Sequence, residues 1–100
     1  LRAARETGGT YLTVSDDEIL AAIGELGKIG IFAEPAGAAS FAGLMKARQG
    51  ELINPEANIV VLNTGSGLKD VQAALRSVPA APVIEPTITH VARALEGLIL

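Results

Sequence analysis

Two stretches of the chain predict helices from the spacing of their apolar residues. In the first, Ser15 stands three residues before Glu18, an arrangement in which each side chain caps the other residue's backbone N–H at a helix start. Apolar residues follow at helical spacing: Ile19, Leu20, Ile23 and Leu26. We therefore expect a helix over about 16–27, with Gly27 and Gly30 at its end.

The second predicted helix begins at Glu34-Pro35, because proline suits the first turn of a helix, where its missing N–H costs nothing. It extends to about Arg48, with Gly50 as a C′ stop. Its first half is built of small residues: Ala36, Gly37, Ala38, Ala39, Ser40, Ala42 and Gly43. Such residues admit another backbone or a flat cofactor, or they pack a helix closely on a sheet.

Two other stretches have the character of strands. Residues 10–14 are β-branched and aromatic, and Ile59–Leu62 is a continuous apolar run, as in a strand covered on both faces. A short helix from Lys69 to about Ser77, a Pro-rich connector at 78–86 and a terminal helix at 87–97 are predicted to follow. This order predicts an α/β fold, a partial three-layer α/β/α arrangement with a mostly parallel sheet.

Length and composition indicate at most one domain, spanning residues 1–100. The chain has 17 Ala and 11 Gly but only 2 Phe, 1 Tyr and no Trp, so few large side chains are available for a core. Two strands do not make a stable sheet, and the chain lacks an initiator Met. We therefore expect it to be a segment of a longer protein.

Charge and composition exclude several kinds of function. A net charge of −3 without a basic stripe gives no footprint for nucleic acid. No apolar stretch is long enough to cross a membrane, and no metal site is predicted, because the chain has no Cys and its lone histidine, His90, is expected at the surface. The absence of Cys fits a reducing compartment, and we expect a cytoplasmic protein.

The best candidate for chemistry is the Gly-rich turn at 63–67, which follows the predicted strand Ile59–Leu62. Ligands of open α/β sheets lie at the carboxyl ends of the strands, and this turn offers two hydroxyls and two glycines there. The spacing is that of neither a P-loop nor a dinucleotide fingerprint, and an inert turn is the alternative interpretation.

The other polar residues have simpler interpretations. Glu34 is either a ligand contact or only a helix cap. Asp70 is expected to cap the following helix, and Lys69 to be a solvated charge. No Ser/His/Asp triad is supported, and no catalytic residue is assigned.

Three motifs together give the chain a resemblance to a known family. They are residues 14–19 (VSDDEI), 30–39 (GIFAEPAGAA) and 60–70 (VVLNTGSGLKD). They resemble the C-terminal part of threonine synthases, pyridoxal-phosphate enzymes of the tryptophan-synthase-β group, fold type II. The EPAGA run is shared with threonine and serine dehydratases, whereas TGSGLKD is similar to the threonine synthase pattern, in which His often replaces Ser66.

The resemblance implies a cofactor, a substrate and a site. The cofactor is pyridoxal 5'-phosphate, contacted by Thr64, Gly65 and Ser66, with the Thr64 hydroxyl on the pyridine nitrogen and Gly65 and Gly67 letting the ring edge approach the backbone. A neutral hydroxyl makes the ring a milder electron sink than a carboxylate would. The implied reaction converts O-phospho-L-homoserine and water to L-threonine and phosphate, in a homodimer.

The resemblance also leaves alternatives. The family's Schiff-base lysine and phosphate-binding loop lie upstream of the residues present, so we expect this segment alone to be inactive. A threonine/serine dehydratase-like enzyme is one alternative. A truncated, non-catalytic module that binds a partner chain or a phosphate-bearing ligand is another, because the strand edges of Ile59–Leu62 would be open to pairing.

Overall fold

The structure, a computed structural model, describes residues 1–97 and is helical. Five α-helices and one 3₁₀ turn follow one another along these residues: α1 Arg2–Thr7, α2 Asp16–Lys28, α3 Pro35–Gln49, the 3₁₀ turn Gly67–Lys69, α4 Val71–Arg76 and α5 Ile88–Glu96. The sequence pattern did not predict α1, a six-residue helix that buries no residue. Within the described residues no helix is both long and apolar enough to span a membrane.

Helix α2 confirms the predicted capping box. The Ser15 N–H donates to Glu18 Oε2 at 2.6 Å, and the Glu18 N–H donates to Ser15 Oγ at 3.2 Å. The hydrogen bond from the Ser15 backbone and the nearby Lys46 ammonium lower the pKa of the Glu18 carboxyl. After the C-cap residue Ile29, Gly30 takes the left-handed conformation (φ 82°), where glycine meets no steric penalty.

Helix α3 begins at Pro35, as predicted, but its C-terminal end differs from the prediction. The helix runs to Gln49, so Gly50 is the C-cap residue with φ −85°, and the left-handed conformation falls on Glu51 with φ 53°. Gly50 is therefore not the predicted C′ stop. The left-handed position costs Glu51 about 1–2 kcal/mol because its Cβ crowds the backbone.

A small core lies where α2 packs on α3 and α4. The buried residues of this core are mostly alanines: Ala22, Ile23, Leu26, Ala33, Ala38, Ala42 and Ala73. Phe41 and Met45 of α3 pack against it while remaining partly exposed. The small residues predicted along α3 thus bring helix against helix, rather than helix against a sheet.

The predicted parallel sheet is not confirmed. The described residues contain no β-strand, only an isolated antiparallel bridge between Ala33 and Ser66. Residues 10–14 and 59–62 have no regular structure, and Val60 is 86% exposed. A strand exists only when its backbone groups bond to neighbouring strands, and no described segment supplies such neighbours.

The overall shape agrees with the lack of a sheet among the described residues. The radius of gyration is 17.7 Å, against about 13 Å for a compact domain of this length. The molecule extends over 61 × 30 × 19 Å. Beyond α4, residues 78–86 form neither helix nor strand, and α5 buries none of its residues. Its cap residue Thr87 contacts His90, which is exposed as predicted.

Candidate functional site

The second and third of the three motifs, residues 30–39 and 60–70, meet in space. Phe32–Gly37 leads into the first turn of α3, and Asn63–Lys69 contains the Gly-rich turn at 63–67 and the 3₁₀ turn. The Glu34 N–H donates to the Gly65 carbonyl at 3.1 Å, and the Gly67 N–H donates to the Phe32 carbonyl at 3.0 Å. These hydrogen bonds flank the Ala33–Ser66 bridge and set the turn beside the first turn of α3.

At two glycines of the turn, other side chains of the protein occupy the space that a Cβ would take. A Cβ on Gly65 would overlap the Glu34 carboxyl group, and a Cβ on Gly67 would overlap the Phe32 ring. A larger residue at either position would therefore have to displace the Glu34 carboxyl group or the Phe32 ring. In this structure the space that a Cβ would take at each glycine holds a side chain of the chain itself, and approach of a cofactor ring to these glycines stays a prediction.

A third close approach fixes the turn against α3. A Cβ on Gly37 would overlap the Asn63 side chain and would lie 3.1 Å from the Gly65 backbone N and O atoms. One turn further along α3, the Ser40 hydroxyl donates to the Leu62 carbonyl at 2.7 Å. Among the interpretations of the small-residue stretch, the structure shows the approach of another backbone at Gly37.

An ion pair links the two segments through their side chains. Lys69 Nζ lies 3.3 Å from Glu34 Oε1, while the Glu34 side chain is only 16% exposed and that of Lys69 is 64% exposed. Glu34 is the N-cap residue of α3 but makes no side-chain capping hydrogen bond. Its interpretation as a simple cap was wrong. Lys69 is largely exposed, as predicted for a solvated charge, and in addition pairs with Glu34. Their separation of 35 residues gave no local signal for this pairing.

The predicted cofactor contacts lie on the exposed side of this assembly. Thr64 and Ser66 are exposed, and Gly65 between them is partly buried. The Ser66 hydroxyl accepts from the Leu68 N–H at 3.3 Å and so caps the 3₁₀ turn. Asp70 caps α4 as predicted, accepting from the Ala73 N–H at 2.9 Å. The turn is thus anchored at both ends, with its hydroxyls facing outward.

Comparison of the sequence with known families assigns the chain to one of them. Residues 1–65, which include the start of α3 and reach into the turn, match the family described as pyridoxal-phosphate dependent enzyme. The chain belongs to this family. The family's cofactor is pyridoxal phosphate, as its description states.

Individual relatives narrow the comparison. The chain is 41% identical over 81 residues to a threonine synthase of Mycobacterium leprae, covering 80% of this chain and 22% of the relative. It is 40% identical over 98 residues to a threonine synthase of Methanosarcina acetivorans, covering 97% of this chain and 24% of the relative. A threonine synthase of Halalkalibacterium halodurans is 41% identical over 87 residues, covering 86% of this chain and 25% of the relative. The chain therefore spans about a quarter of the length of these relatives.

The donor groups of the turn are of a kind that fits the cofactor. Pyridoxal phosphate carries a pyridine nitrogen, which takes a hydrogen bond from a hydroxyl. Thr64 is exposed and carries such a hydroxyl. The next residue of the turn, Gly65, is held by backbone and side-chain contacts with Glu34. The chemistry of Thr64 is therefore compatible with one edge of this cofactor.

Proposed function

We propose that this chain is the C-terminal segment of a threonine synthase, a pyridoxal-phosphate-dependent lyase. The reaction converts O-phospho-L-homoserine and water to L-threonine and phosphate. The observation that carries the proposal is the junction of Phe32–Gly37 with Asn63–Lys69, which joins the run shared across the family to the run typical of threonine synthases. The names of the relatives, about 40% identical over most of the chain, support the same activity.

In this proposal the turn binds the pyridine edge of the cofactor. The Thr64 hydroxyl would hydrogen-bond the ring nitrogen, and the backbone of Gly65 and Ser66 would border the ring. When bound, the cofactor withdraws electrons from the substrate carbons, which lets protons be removed and phosphate depart. A threonine hydroxyl is neutral, so it orients the ring without holding a proton on the nitrogen as a carboxylate would. The Ser66 hydroxyl accepts from the Leu68 N–H and caps the 3₁₀ turn, so Ser66 contributes its backbone to the cofactor site.

The proposal extends to the layer that the described residues do not form. In the full-length synthase, Ile59–Leu62 is a strand of a mostly parallel sheet within a three-layer α/β/α fold. Its exposed Val60 and Leu62 side chains, 86% and 71% accessible here, are then covered on both faces. The homodimeric state and the cytoplasmic location expected from the sequence are part of the same proposal.

The alternatives have less support. A dehydratase shares the run at Glu34–Ala38, but the turn Thr64–Asp70 carries the threonine synthase pattern and the relatives named above are threonine synthases. A non-catalytic binding module rests on the open edges of Ile59–Leu62, and the full-length fold proposed here covers those edges.

The proposal is tested with the full-length enzyme and two possible products. Incubated with O-phospho-L-homoserine, the enzyme is expected to release phosphate and form threonine, and to form little 2-oxoacid from threonine or serine. Phosphate release without threonine, or rapid 2-oxoacid formation, would contradict the assignment. The 100-residue chain alone is expected to be inactive, because it provides one wall of the site and no lysine in the context of the Schiff-base lysine.

Thr64 provides a test of the site itself. Thr64→Val removes the hydroxyl and keeps the shape of the side chain, whereas Thr64→Ser keeps the hydroxyl. We expect Thr64→Val to lower kcat about tenfold to a hundredfold, the effect of one lost hydrogen bond to a polar ring atom. Thr64→Ser is expected to retain most of the activity. Equal activity of both variants and the wild type would remove Thr64 from the site.

A further inference from the structure

We propose that the Glu34–Lys69 ion pair is a positioning device that holds the turn bearing Thr64 in its cofactor-binding conformation. The inference rests on the proposed function, because it assigns the pair a role toward the same site. Neither residue needs to touch the cofactor. Their effect passes through Gly65, the residue next to Thr64.

Glu34 restrains Gly65 in two ways. Its backbone N–H donates to the Gly65 carbonyl at 3.1 Å, and its carboxyl group fills the space where a Cβ of residue 65 would lie. Glycine has a wide range of backbone conformations, and that freedom must be removed for Thr64 to be presented in one orientation. The Glu34 carboxyl group packed against Gly65 removes part of it.

Lys69 keeps the Glu34 carboxylate in that place. The Glu34 side chain is 16% exposed, so its charge is largely removed from water and depends on a partner. Among residues 1–97 the hydrogen-bond partner of this carboxylate is Lys69 Nζ at 3.3 Å. Lys69 is fixed in turn, since it ends the 3₁₀ turn directly before Asp70, the cap of α4. Without Lys69, the Glu34 carboxylate gains hydration by turning toward water, and it then no longer packs against Gly65.

A second ion pair provides a matched control. Lys46 of α3 lies 3.1 Å from Glu18 of α2, and the two side chains are 42% and 39% exposed. This pair also joins two separate elements, but it does not contact the turn. Removal of either pair takes away one lysine charge and one link between segments, whereas only the Glu34–Lys69 pair acts on Gly65.

The test measures cofactor affinity of the full-length enzyme in the absence of substrate. Apoenzyme is titrated with pyridoxal phosphate and binding is followed by absorbance and fluorescence, for wild type, Lys69→Met, Lys69→Arg, Glu34→Gln and Lys46→Met. We expect Lys69→Met and Glu34→Gln each to raise the Kd about fivefold to tenfold, with Lys69→Arg close to wild type. The Kd of the double variant Glu34→Gln/Lys69→Met is expected to be at most about twofold higher than that of either single variant, because the two residues act as one unit.

The result that overturns the inference is an unchanged Kd in Lys69→Met, or an equal rise in Lys46→Met, which would indicate general destabilisation. Thermal unfolding of each apoenzyme identifies a variant that fails to fold. If Lys69→Met does not fold, Glu34→Gln removes the same ion pair, and an unchanged Kd in that variant overturns the inference. Failure of the proposed function is distinguishable. An enzyme that binds the cofactor with these affinities but forms no threonine contradicts only the proposed reaction, whereas an enzyme that binds no pyridoxal phosphate contradicts both.

Discussion

Two regions of the molecule are rich in apolar residues: the pair of helices α2 and α3, and the segment Ile59–Leu62. Only the helices bury these residues. Ile23 and Leu26 of α2 are 4% and 5% exposed, whereas Val60 and Leu62 are 86% and 71% exposed. A helix satisfies its backbone hydrogen bonds within itself and needs one neighbour for its apolar face. A buried strand needs neighbours for its backbone edges and for both faces. The same degree of apolarity thus gives a formed core in one region and an open surface in the other.

The same difference explains why the candidate site is well formed although residues 1–97 form no sheet beside it. The contacts that build it join Phe32–Gly37 to Asn63–Lys69 through backbone hydrogen bonds and glycine packing. These contacts lie on either side of the Ala33–Ser66 bridge, where the segment that leads into α3 meets the segment that leads into the 3₁₀ turn. They do not depend on the backbone pairing of Ile59–Leu62, which lies immediately before the turn.

The largest effect is expected at Val60. If Ile59–Leu62 is a covered strand in the full-length synthase, Val60→Asp places an unpaired charge in its interior and destabilises it by about 3–5 kcal/mol. Val60→Ile keeps an apolar β-branched side chain and should cost less than about 1.5 kcal/mol. Thermal unfolding of the full-length variants makes the comparison. Similar melting temperatures for Val60→Asp and wild type would show that the segment stays exposed in the longer protein.

A smaller effect is expected from glycines that differ in their surroundings. Gly67 is buried and a Cβ there would overlap the Phe32 ring, so Gly67→Ala should destabilise the full-length protein by about 1–3 kcal/mol. A Cβ on Gly27, in the last turn of α2, meets nothing within 4 Å. Gly27→Ala should therefore stabilise the protein by up to about 1 kcal/mol through helix propensity. Denaturant midpoints measure both, and a harmless Gly67→Ala would contradict the packing described for the turn.

The smallest effect concerns Glu18 and depends on pH. Its pKa is lowered in the folded chain, first by the hydrogen bond from the Ser15 backbone and then by Lys46. The carboxylate therefore contributes stability above its unfolded pKa, near 4.5, and that contribution is lost as the pH falls through the lower folded pKa. In Glu18→Gln, the loss of stability on acidification below about pH 4.5 should be shallower than in wild type. Parallel profiles of melting temperature against pH would contradict this.

Local sequence was sufficient for α2, α3 and their starts. The Ser15–Glu18 capping box, the position of Pro35 and the Asp70 cap all depend on residues within one helical turn of each other. The C-terminal end of α3 was less well predicted. Gly50 was predicted to be the C′ stop, but the helix extends to Gln49 and the left-handed conformation lies at Glu51. A single glycine does not determine where a helix ends, because the end depends on the balance between fraying and capping.

The candidate turn shows a similar division. The sequence by itself determined that residues 63–67 form a Gly-rich turn carrying two hydroxyls, and that it follows an apolar segment. It also determined family membership, because the motifs lie in contiguous runs of residues. Only the tertiary structure decided that Glu34 pairs with Lys69, that Gly65 and Gly67 make room for Glu34 and Phe32, and that the Ile59–Leu62 run remains unpaired. Those outcomes depend on which distant segments come into contact, and one-dimensional spacing carries no information about contacts between residues some thirty positions apart.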